Sequence, residues 1–189
     1  MQDKIFRFIS KALSPLLSFS YCLIATILQN GDIMAVKAGL VIFLQVICFA
    51  YVLGKLFTPK ADYLLETHSI NERIFLYSAC IIGLLLSKLW LNLLNIKGYE
   101  VLLITGSIFL SLTLVITIFW KISAHTTVFS GGAMIFVDSH TDILFWVFLL
   151  VSFLLGYIRV YLKAHTPMQV IAGIMLGTAT SFAVRYYLN

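Results

Sequence analysis

Long uncharged apolar runs constrain this chain more than any other feature. Seven stretches lack Asp, Glu, Lys and Arg and approach the length of a membrane span: Ala12–Gly31, Ala38–Gly54, Ile74–Ser87, Val101–Trp120, Ile122–Val137, Ile143–Ile158 and Ala164–Val184. A spanning helix takes about 20 mostly apolar residues. The third run is interrupted by Lys88 and resumes as Leu89–Ile96, and the fifth and sixth are short unless polar neighbours lengthen them. The runs are continuous rather than alternating, which fits helices and not a barrel. Of the 189 residues, 61% are hydrophobic and 11% charged. Soluble domains run at about 45–50% and 25%. That balance excludes a soluble globular domain, a disordered chain and a disulfide scaffold. The expectation is an all-α polytopic transmembrane bundle of six or seven spans, forming one integral membrane domain over residues 1–189.

The first run is the weakest span, because it contains Pro15 and several hydroxyl residues. Ahead of it, Ile5, Phe6, Phe8 and Ile9 are interleaved with Lys4, Arg7 and Lys11. This pattern suits an interfacial amphipathic turn, and no small-x-small cleavage site follows to make it a signal peptide. Residues 1–35 are therefore read as interfacial or as a weak first span. Cys22, Cys48 and Cys80 lie inside apolar runs at spacings that match no metal motif. They read as small buried hydrophobes. The net charge of +5 points, in a membrane chain, to topology signals or an anionic headgroup site rather than to nucleic acid.

Ionisable residues crowded at helix mouths are costly in such a chain and suggest function. Two clusters stand out. Lys121-Ile122-Ser123-Ala124-His125 lies between the fourth and fifth runs, and Arg159 to His165 lies between the sixth and seventh. One helical hairpin separates them, so both fall on one membrane face, together with the Lys55–Arg73 interval. Two histidines among fixed cations suit a phosphate monoester. Arginine and lysine neutralise its oxygens, one histidine attacks phosphorus and the other protonates the leaving oxygen. Thr166-Pro167-Met168-Gln169 reads as a helix start, with Thr166 as N-cap, Pro167 in the first position and Gln169 completing a capping box. His165 would then stand just before a helix N-terminus, which favours a bound anion. The alternative at this level is a set of positive loop residues that happens to include two histidines.

At these residues the sequence resembles the PAP2 (phosphatidic acid phosphatase type 2 and haloperoxidase) superfamily, whose motifs are KxxxxxxRP, PSGH and SRxxxxxHxxxD. The third motif reads here Ile158-Arg159, five residues, His165, three residues, Gln169, and the second reads Ile122-Ser123-Ala124-His125. The chain is similar in particular to a bacterial subgroup with a KISxH segment followed by Gly-Gly and an AHTPxQV segment. Gly131-Gly132 and Ala164–Val170 match these. The resemblance covers residues 73–189. It implies a metal-independent lipid phosphatase with His165 as the nucleophile that forms a phosphohistidine and His125 as the general acid. It further implies Arg159 and Ser123 as phosphate ligands, no cofactor, and a location in the bacterial cytoplasmic membrane. Candidate substrates are phosphomonoester or diphosphate lipids.

Two departures bear on activity. The family aspartate that orients the nucleophilic histidine is Gln169 here, which carries no charge to stabilise an imidazolium. Losing the acid in the analogous serine-protease triad costs about 10⁴ in kcat. Gln169 thus orients the nucleophile or serves only as a helix cap. In the first motif, Arg73 holds the arginine position, but no proline follows and the lysine position is Glu66; Lys121 is the candidate replacement cation. The alternatives to an enzyme are a non-catalytic lipid-phosphate-binding or assembly protein and, less well supported, a small transporter.

Asp138, His140 and Asp142 carry metal-ligand chemistry but fall on the opposite face, where a solvated turn is expected; His68 reads as a surface residue. Lys88 reads as a snorkelling or headgroup-paired side chain, and Gly173 and Gly177 form a GxxxG suited to close packing or dimerisation. Topology divides by span count. With seven spans the site shares the side of the N-terminus, which then carries nine basic residues against three, an inside signature. With six spans and an interfacial first run the site faces outward, and the outer face is the favoured expectation.

Overall fold

The computed structural model describes residues 2–30, 33–57, 70–97, 99–135 and 142–188. Each of the seven apolar runs forms one helix. They are α2 (Pro15–Asn30), α3 (Ile33–Phe57), α4 (Ile70–Leu93), α5 (Glu100–Phe119), α6 (Ala124–Ile135), α7 (Asp142–Tyr161) and α8 (Pro167–Leu188), preceded by α1 (Gln2–Ala12). The described residues contain no strand. Lys88 does not break α4, because an isolated lysine is tolerated in a helix and lines a small pocket with Asn92, Tyr99 and Glu100.

By length and composition, α4, α5, α7 and α8 can cross a membrane, and the bent pair α1 and α2 makes a fifth candidate. The seven run-forming helices fit the expected six or seven spans only roughly, since four or five pass as spans among the described residues and α6 has 12 residues. Outward faces are apolar: Trp146, Leu150, Phe153 and Tyr157 of α7 and Leu112, Val115 and Ile118 of α5 are exposed. Inward faces carry hydroxyls, including Thr105, Thr113, Thr117, Ser152 and Ser181. That inversion of the soluble pattern is expected where lipid replaces water. The protein is an integral membrane protein.

The bundle is arranged around α6, which packs against α2, α5, α7 and α8. Residues 122–133 are all buried, as a helix enclosed on every side requires. Glycines permit this enclosure. A Cβ on Gly177 would collide with the Thr127 carbonyl, and one on Gly132 would lie 2.6 Å from Cys22 Sγ and 3.0 Å from a Phe148 ring carbon. The Gly173 and Gly177 face is therefore filled by α6 of the same chain.

The weak first run crosses the bundle. Pro15 and Phe19 of α2 line a cavity with Tyr77 and Val128, whereas Ile27 packs on Gly39, which also lies near the hydroxyl of Tyr99, at the other end. The N-terminal helix stands at the end that carries the two histidines, because Ser10 contacts both His125 and Arg159. The N-terminal helix is thus on the side of the site, as the seven-span reading has it. The N-terminus and the histidines share one end of the bundle.

Candidate active site

The C-terminus of α7 fixes the geometry of the second cluster. Lys163 takes a left-handed backbone conformation with φ 54°. Its amide donates to the Val160 carbonyl at 2.9 Å, and the Ala164 amide donates to the Arg159 carbonyl at 3.0 Å. This is a Schellman closure built on a lysine instead of the usual glycine. The His165 amide also donates to the Arg159 carbonyl, at 3.2 Å. The five-residue spacing between Arg159 and His165 is thus the length of one helix-ending turn, which brings the histidine back beside the arginine.

α8 starts as the capping box anticipated. The Thr166 amide donates to Gln169 Oε1 at 3.0 Å, and the Gln169 amide donates to Thr166 Oγ1 at 3.4 Å. The Gln169 side chain also interacts with the His165 ring. His165 is buried, and its Nδ1 has no hydrogen-bond partner. Burial, then the charges of Arg159, Lys121 and Arg73, push its pKa from the usual 6.5 down to about 3; Gln169 acts weakly in the opposite sense. The ring is therefore neutral at ordinary pH.

Ser123 and His125 open α6. The Ser123 carbonyl accepts from the Thr127 amide at 3.1 Å and from the Thr126 and Thr127 hydroxyls at 3.0 and 2.9 Å. Its own hydroxyl makes no capping bond. Ser123 Oγ is fully buried without a hydrogen-bond partner, an arrangement that costs free energy unless a ligand supplies the partner. His125 is buried in the next turn, with the charges of Arg159 and Arg73 and the ring of His165 as its neighbours.

Arg73 lies in the first turn of α4 and is buried. It shares a pocket with Thr117, Trp120 and the exposed Lys121 at the end of α5. The structure thus gathers Arg73, Lys121, Ser123, His125, Arg159, His165 and Gln169 at one end of the bundle. The charges acting on the two histidine rings are all cationic. Such a set suits a tetrahedral oxyanion. Asp138, His140 and His68 lie outside the described residues, and among the described residues no cluster of three or more His, Cys, Asp or Glu is placed to hold a metal ion.

One site residue was not legible in the sequence. Ser10 of α1 is 3% exposed; its carbonyl lies 3.2 Å from His125 Nε2, and its hydroxyl accepts from Arg159 Nη1 at 2.8 Å. The amphipathic pattern placed this helix at the interface, but no local feature distinguished Ser10 from the other N-terminal polar residues.

Among known families, the model of the PAP2 superfamily matches residues 41–189. No curated protein and no solved structure matches the chain.

Proposed function

The chain belongs to the PAP2 superfamily, whose members are generally phosphatases, and from that premise we propose that it is a metal-independent membrane lipid phosphatase acting through a phosphohistidine. The observation that carries the proposal is the pairing of two buried histidines with two buried arginines and a buried serine hydroxyl that lacks a partner. Arg73 and Arg159, with Lys121 at the rim, hold the phosphate oxygens, and Ser123 Oγ donates to one of them.

Neutral His165 has a ring lone pair available, and it attacks phosphorus as the bond to the leaving oxygen breaks. A proton that arrives on the substrate phosphate passes through His125 to that oxygen, so the lipid departs as an alcohol, or as a monophosphate if the substrate is a diphosphate. His125, neutral again, takes a proton from water. The resulting hydroxide breaks the P–N bond, releases inorganic phosphate and returns His165. Positioning and charge neutralisation supply the stabilisation in both steps. The substrate lipid reaches the site from the bilayer of a bacterial cytoplasmic membrane.

A second reading rests on Gln169. Its Oε1 already accepts the Thr166 amide, and it carries no charge to stabilise a cationic His165. A protein built this way could bind a lipid phosphate without turning it over. Phosphate release from a panel of lipid phosphates in EDTA, by purified protein and by His165→Ala, separates the readings. Release lost in His165→Ala is expected. Tight orthovanadate binding with no release from any lipid would favour the non-catalytic reading.

A further inference from the structure

α1 precedes the segment matched by the family, yet it covers the groups on which the proposed chemistry depends. The Ser10 carbonyl stands at His125 Nε2, and its hydroxyl at Arg159 Nη1. A leaving oxygen and a phosphate oxygen would have to occupy those two places. Phe6 packs edge-on against Tyr161 at 4.9 Å and Tyr157 at 6.2 Å, Asp3 hydrogen-bonds Tyr161, and the Tyr21 hydroxyl donates to the Ala12 carbonyl at 3.0 Å. α1 is set at 57° to the following helical segment, with Pro15 at the start of α2. One face of α1 is turned outward. Lys4, Arg7 and Lys11 are exposed, as are Ile5 at 49% and Phe8 at 73%. Basic side chains interleaved with bare apolar ones are the chemistry of a helix that lies on an anionic lipid surface.

We propose that α1 is a membrane-surface helix that covers the site, with Ser10 standing in for two substrate oxygens until α1 seats on an anionic bilayer. This inference rests on the phosphate-site reading. The exchange is chemically reasonable, because a charged phosphate oxygen makes stronger hydrogen bonds to arginine and histidine than a neutral carbonyl or hydroxyl does. The covered state lowers the apparent affinity of any anion by the fraction of molecules that are open.

The test measures orthovanadate binding to the full chain in nanodiscs of phosphatidylcholine alone and of phosphatidylcholine mixed with phosphatidylglycerol. Binding about fivefold tighter in the anionic discs is expected, although a negative surface by itself repels vanadate. The triple variant Lys4→Gln, Arg7→Gln, Lys11→Gln should lose that difference, and Ser10→Ala should tighten binding in phosphatidylcholine alone. Equal affinity in the two membranes would overturn the inference. So would weaker binding by Ser10→Ala, which would make Ser10 a positioning residue for Arg159. Absence of vanadate binding by every form would overturn it together with the anion site. Turnover is not the readout: lipid-dependent vanadate binding without hydrolysis would sink the catalytic reading and leave this one standing.

Discussion

The main-chain amide of Ser123 donates to the carbonyl of Gln169 at 3.3 Å. This bond ties the lead-in to α6 to the first turn of α8, and so ties the two histidine-bearing turns to each other. Thr126 reinforces the junction by spanning the Ser123 and Val170 carbonyls. The backbone and threonine side chains thus do the structural work, and the Ser123 hydroxyl takes no part in it.

Ser123→Ala therefore separates stability from binding. The hydroxyl has no partner to lose and its buried oxygen is unsatisfied, so thermal stability in detergent should be kept or rise by about 1 kcal/mol. Orthovanadate affinity should fall about tenfold, the worth of one hydrogen bond to a charged group. A destabilised protein with unchanged vanadate affinity would assign Ser123 to the fold instead.

Gln169→Asp restores a charge near the nucleophile. A carboxylate stabilises the cation that His165 becomes during turnover, so kcat should rise about tenfold or more, within the range seen when a triad acid is removed. Thr166 loses part of its capping box, at a cost of about 1 kcal/mol. A kcat that stays level or falls would show that Gln169 acts only as a cap.

His165 should resist protonation. Its pKa lies at about 3 instead of 6.5, so histidine-selective nitrogen NMR should find this ring neutral from pH 8 to pH 5. The sign for stability follows. Folding favours the neutral ring, so this contribution is complete above about pH 6.5 and is lost as pH falls towards 3. A midpoint near 6.5 for His165 would contradict the buried, cation-flanked setting.

Gly177→Ala tests the internal role of the GxxxG. The added methyl meets the Thr127 carbonyl and lies 2.9 Å from the Gly131 amide nitrogen, and backbone cannot swing aside as a side chain can. Destabilisation of about 2–3 kcal/mol is expected, with no change in oligomeric state by light scattering. A dissociated oligomer of unaltered stability would place this face between chains.

Much of the fold was legible because lipid imposes one strong requirement. A chain that must satisfy every backbone polar group internally becomes helical wherever it is apolar for long enough, and each of the seven runs did so. The capping box at Thr166 and Gln169 was legible for a different reason, since a cap depends on four consecutive residues. The pairing of His125 with His165 followed from one hairpin's length. Ser10 was not legible, because its contacts lie 115 and 149 residues away along the chain. The side of the bundle shared with the N-terminus was left open by the sequence for a related reason. Pro15 and the hydroxyls weakened the first run by composition, but packing of Ile27 and Cys22 against glycine surfaces carries α2 across the bundle.

By itself, then, the sequence determined an all-helical membrane protein, the helix mouths at which His125, Arg159 and His165 stand, and the cap that presents His165. These follow from hydropathy and from contacts within a few residues. Tertiary structure alone decided that α6 is enclosed by four other helices, that the GxxxG is spent inside the chain, and that Ser10 lies on the candidate catalytic groups. Such contacts depend on which surfaces are small enough to meet and which polar atoms remain to be satisfied once they do. Neither is a property of any short stretch of residues.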